Sequence, residues 1–88
     1  MFIYIPDVIR EKALDFTESE LQDYVQRVHK LLEDMLPGQQ LPVAKLTRES
    51  NRDLFIECVK FYIREMPLQG GIMFNADFTI IKKYDVKM

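Results

Sequence analysis

Only one cysteine, Cys58, and one histidine, His29, occur among the 88 residues, and tryptophan is missing altogether. A lone thiol closes no disulfide within its own chain, and it leaves a zinc site of cysteine type without ligands. Three glycines and four prolines are too few for a collagen-like or low-complexity chain. No apolar run approaches the roughly 20 residues that span a bilayer. The opening "MFIYIPDVIREK" has no basic lead and is interrupted by Pro6, so it does not read as a signal peptide. A free thiol on a predicted buried face, without an export signal, gives the cytoplasm as the expected compartment.

Chemical motifs are equally scarce. Gly70 and Gly71 follow a predicted helix instead of preceding one, so they read as a turn and not as a phosphate cradle. A nucleophile for His29 would have to be Cys58, which falls in the middle of an apolar helix face where a thiol stays protonated. His29 itself lies at the border of an apolar arc, beside Glu33, and reads as a surface residue. The carboxylates Asp15, Glu18, Glu20, Asp23, Glu33 and Asp34 are accounted for by helix caps and solvated faces. The expectation is therefore no enzyme, no cofactor and no metal.

What is present is an ordinary globular balance, 48% hydrophobic and 30% charged, enough for one domain over residues 1–88 with a modest core. At this size burial per residue is poor, and with no staple available association with another chain becomes the expected aid to stability.

"FIYI", residues 2–5, is β-branched and aromatic and stops at a proline, as a short strand does. The segment 7–15 is ambiguous between one helical turn and an irregular approach; a short helix is the expectation. "TESE" is a capping box: Thr17 caps the N–H three residues on, Glu20 reaches back, and Phe16 can staple onto Leu21. A helix beginning at residue 18 follows. Its residues Leu21, Tyr24, Val25, Val28, Leu31, Leu32, Met35 and Leu36 gather into an arc of about 140°. Pro37 and Gly38 end it, and residues 37–46 carry no helical period, so they read as a connection. Thr47 or Ser50 then caps a second helix that runs to Met66. Beyond Gly70 and Gly71, two β-rich runs flank "NAD", whose Asn75 and Asp77 suit the left-handed conformations of a tight hairpin.

The predicted fold class is α+β, a β-α-α-β-β chain with two main helices on a short antiparallel sheet made by the N-terminal strand and the C-terminal hairpin. The second helix carries the stretch "LFIECVKFYIREM", residues 54–66. Leu54, Phe55, Cys58, Val59, Tyr62, Ile63 and Met66 cover about 180° of it, and Ile56 with Phe61 widen this to roughly 220°. Such a helix must be covered on two sides. Either it is the central helix of the fold, or the borders of its stripe stay exposed for a partner; both can hold at once.

Two functions follow from different classes. The first is a small non-enzymatic regulator or inhibitor that binds a partner protein or a second copy of itself, through Ile56, Phe61, Tyr4 and Tyr84, as an accessory factor of a phage or bacterium would. The second is nucleic-acid binding through a basic hairpin, Lys82, Lys83 and Lys87 with Tyr84, helped by Arg48 and Arg52. Charge favours neither outright. Residues 1–44 hold four basic and eight acidic side chains, whereas residues 45–88 hold eight basic and six acidic, but a pI near 5.3 gives no overall attraction to a polyanion.

Overall fold

The computed structural model describes residues 4–65 and 71–84. In chain order these form α1 (Asp7–Glu11), α2 (Glu18–Asp34), β1 (Gln40–Pro42), the single turn α3 (Val43–Leu46), a 3-10 turn (Glu49–Asn51), α4 (Arg52–Glu65), β2 (Gly71–Phe74) and β3 (Ile80–Tyr84). The class is α+β, with the expected C-terminal hairpin.

Local chemistry accounts for the first long helix. The Thr17 hydroxyl accepts from the Glu20 N–H at 3.1 Å, and the Glu20 carboxylate accepts from the Thr17 N–H at 2.8 Å, so both halves of the capping box are made. Phe16 meets the ring of Tyr24, edge to face at 5.6 Å. Helix α2 stops at Asp34, and Gly38 then takes a positive φ of 86°, which a residue without Cβ adopts freely. That turn delivers the Gly38 N–H to the Lys83 carbonyl at 2.7 Å and starts the chain along β3.

The sheet order is β1-β3-β2, all antiparallel. Here the connection expected over residues 37–46 is structured after all: it supplies the third strand, Gln40–Pro42, and the turn α3. Of the expected strand at residues 2–5, residues 2 and 3 lie outside the described residues, and Tyr4 and Ile5 belong to no strand. Ile5 is used instead as core, 1% exposed beside Ile9. The Gln39 carbonyl accepts from Lys83 of β3 and the Val43 N–H donates to Thr79 just ahead of that strand, so by alternation the backbone groups of Pro42 point away from β3, and the missing proline N–H costs no ladder bond.

Helix α4 is central. It buries Leu54, Phe55, Cys58, Val59, Phe61 and Tyr62, with α2 and α1 on its helical side and β2 on another. The 220° stripe is therefore mostly answered by the fold itself. Phe61, expected at an exposed border, is 6% exposed and stacks on His29 at 5.7 Å. Among the described residues of the stripe only Ile56 and Ile63 remain half-buried, and Met66 lies outside the described residues. Along the sheet, opposed residues share a face: Leu41, Ile72, Phe74, Ile81 and Lys83 turn to the core, and Gln40, Met73, Ile80, Lys82 and Tyr84 turn outward.

Candidate functional site

The hairpin loop, residues 75–79, is tied down from two directions. Asn75 holds it from within: its Oδ1 accepts the N–H groups of Thr79 at 2.8 Å and Ile80 at 3.0 Å, and its Nδ2 donates to the Thr79 hydroxyl at 2.8 Å. Arg52, on the first turn of α4, holds it from outside, with Nη2 donating to the carbonyls of Asp77 and Phe78, each at 3.2 Å. The left-handed residue that the loop requires is neither Asn75 nor Asp77. It is Phe78, with φ of 56°, a conformation that costs an L-residue with a Cβ about 1–2 kcal/mol.

That strained residue is 39% exposed. One side of its ring meets Phe74, centroids 5.1 Å apart, and the Lys60 ammonium lies 5.2 Å from its centroid. Lys60 is also 3.7 Å from the Glu57 carboxylate. Ring and helix together bound an open cleft of about 340 Å3, with Ile56 and Phe78 as its apolar parts, Lys12, Arg52 and Lys60 as cations and Asp53, Glu57 and Asp77 as anions. A neutral balance of charge around an apolar patch can receive a partner's side chain with mixed polar neighbours; it has no preference for a polyanion.

The residues singled out by sequence distribute as follows. Ile56 lines this cleft, and so does Arg52, whose guanidinium is engaged with the loop. Phe61 is core. Tyr4 is 74% exposed near Arg10 and does not line this cleft, and Tyr84 is 42% exposed on the open sheet face with the Lys82 ammonium 5.0 Å from its ring. The basic set does not assemble. Lys83 points to the opposite face from Lys82 and donates to the carbonyls of Leu32 and Glu33, at 3.0 and 3.1 Å, at the end of α2. Arg48 is exposed ahead of the 3-10 turn, and Lys87 lies outside the described residues. Sequence reasoning misses Phe78, Lys60 and Lys12; the dipeptide Asp77-Phe78 carries no signal that the aromatic residue takes the left-handed position.

Neither of the two residues considered for catalysis is arranged for it. Cys58 is fully buried and desolvation pushes its thiol up to about 12, so a thiolate is not formed near neutral pH. His29 is half-buried rather than a free surface residue, edge-on to Tyr62 at 5.2 Å, and its Nε2, like the Tyr62 hydroxyl, has no hydrogen-bond partner among the described residues. Desolvation lowers the His29 pKa, opposed in part by Glu33. Because the folded value lies below the unfolded one near 6.5, the unfolded chain takes up the proton more readily. Stability is therefore expected to be full above about pH 6.5 and to decline as pH falls through the His29 window. Urea titrations between pH 7 and 5 should show that slope in the wild type and lose it in His29→Gln.

Among the described residues no cluster of His, Cys, Asp and Glu is set to hold a metal ion, and no helix is long and apolar enough to cross a membrane. Against this geometry, the chain matches no protein-family model, no curated protein and no solved structure.

Proposed function

We propose that the chain is a non-enzymatic interaction protein, a small cytoplasmic regulator or inhibitor that binds a partner protein at the cleft between α4 and the hairpin loop. The observation that carries this reading is Phe78. A bulky residue in a left-handed conformation persists only where surrounding bonds over-determine it, and here Asn75 and Arg52 supply those bonds while Phe78 stays partly exposed. Aromatic and Arg side chains around a central apolar patch are the composition of binding hot spots. The partner would offer an apolar side chain to Ile56 and Phe78 and charges of both signs to the rim.

Ile56→Glu tests the reading, because Ile56 is only half-buried and its replacement should leave the far-ultraviolet spectrum unchanged. Immobilised wild-type and variant proteins are compared for what they retain from cell extract. A protein held by the wild type and lost at least tenfold by the variant supports the cleft, and retention of the same proteins by both would contradict it.

A second reading, nucleic-acid binding, keeps one favourable observation, the Lys82 and Tyr84 pair on the open sheet face. It requires single-strand binding that weakens steeply with salt. Absence of binding at low salt removes it.

A further inference from the structure

The two edges of the sheet are built differently. On the β1 edge Pro42 presents no N–H outward, and a proline at that position blocks addition of a further strand. The β2 edge, "GIMF", carries no charge and no proline, and natural edges are normally guarded by one or the other. Among the described residues β2 pairs with β3 alone. Its ladder is fixed by the Asn75 N–H to the Ile80 carbonyl at 3.1 Å and, on the far side of β3, by the Lys83 N–H to the Gln39 carbonyl at 3.0 Å. Alternation from these bonds turns the backbone groups of Gly71 and Met73 toward β3 and those of Ile72 and Phe74 outward.

We propose that this edge pairs with the same edge of a second copy, giving a two-fold dimer with one continuous antiparallel sheet and Met73 facing its counterpart across the axis. This inference rests on the sheet alone and not on the cleft. The occupant follows from self-complementarity. An antiparallel strand centred on Met73 sets Ile72 opposite Phe74 in both directions, so each outward N–H meets an outward carbonyl. Met73 then forms a pair not bonded through the backbone, whose Cα atoms lie about 4.5 Å apart. Its side chain, 54% exposed on the outer face, closes on itself. Next along, Gly71 falls opposite Asn75, the corner of the hairpin, where the absence of a side chain leaves room for the turn. The nearest cations are the two copies of Lys82, each a strand further out and each already over its own Tyr84 ring, so like charges do not face one another at the axis.

The test uses the whole chain with Met73→Cys. Buried Cys58 does not compete, and a Cα separation of that size is within the disulfide range of about 4.4–6.8 Å. With oxidised glutathione as the oxidant, Met73→Cys should convert to a disulfide-linked dimer, and Ala76→Cys, exposed at the loop tip, should not. In light scattering the wild type should approach twice its 10.5 kDa chain mass as concentration rises. Met73→Glu, at an exposed position, should retain the fold by circular dichroism and return to the mass of one chain. A wild type of single-chain mass up to its highest soluble concentration overturns the proposal. So does a dimer that Met73→Glu leaves intact, or cross-linking no greater at position 73 than at position 76.

Discussion

Replacing Phe61 by Asp is expected to unfold the protein. Truncating a buried Phe costs about 3–5 kcal/mol through lost transfer energy and the cavity left behind, and an unpaired carboxylate at a site 6% exposed adds its own desolvation. A chain of this length has a total stability of the order of 4–13 kcal/mol at about 0.05–0.15 kcal/mol per residue, so the single change removes most or all of it. Circular dichroism and urea titration at pH 7 report it directly. Loss of the cooperative transition, or a midpoint near zero denaturant, is the expected outcome. A folded Phe61→Asp protein of near wild-type stability would show that the α2 and α4 interface does not enclose the ring, and the packing of His29 against it would be wrong as well.

Lys83→Ala carries the second large effect. Helix α2 has no basic residue in its own last turn, and its final carbonyls form the negative end of the helix dipole. Lys83 reaches there from the inner face of β3, with Nζ between the carbonyls of Leu32 and Glu33. Hydrogen bonds to a charged group contribute about 1.5–3 kcal/mol, so the loss should be about 2 kcal/mol, read as a lower urea midpoint with an unchanged slope. Lys83→Met keeps the apolar stem and should recover only a small part. Amide exchange should speed up in the last turn of α2 in both variants. Equal stability of wild type and Lys83→Ala would show that the contact with the end of α2 adds nothing to the fold.

Phe61 and Lys83 also mark the limits of what residue pattern alone makes legible. The capping box at Thr17 and Glu20 is local chemistry and places the start of α2 correctly because nothing distant competes with it, whereas the helix stops at Asp34, ahead of Pro37 and Gly38, and leaves Leu36, expected on its apolar arc, exposed. The breadth of α4 announces a helix covered on two sides. Periodicity offers no means of choosing between its borders: Ile56 and Phe61 lie about 140° apart on the wheel, and which of them is covered depends on where α2 crosses. The third strand is hidden for a similar reason. Residues 40–42 have little strand propensity, and their pairing is supplied by β3 across the sheet.

Other differences follow from geometry that the sequence does contain. Lys82 and Lys83 are adjacent on a strand, so they must point to opposite faces, and a shared basic surface is not open to them. In the loop, composition points to Asn75 and Asp77 for the left-handed position. Asn75 instead uses its side chain to bond Thr79 and Ile80, and the positive φ is found at Phe78. The cleft itself joins Lys12 near α1, the first turns of α4 and the hairpin loop, elements brought together only by the tertiary fold.

In the proposed function Phe78 is held in its left-handed conformation so that its ring stays open to a partner. Phe78→Asn tests it most directly, since Asn adopts the left-handed conformation at lower cost and removes the ring. The measurement is a paired one, urea stability and retention of the captured partner on the same two proteins. Stability is expected within about 1 kcal/mol of wild type, because relief of backbone strain offsets the lost contacts with Phe74 and Lys60, together with loss of partner retention. A large drop in stability with undiminished retention would contradict it and make Phe78 an ordinary packing residue of the hairpin.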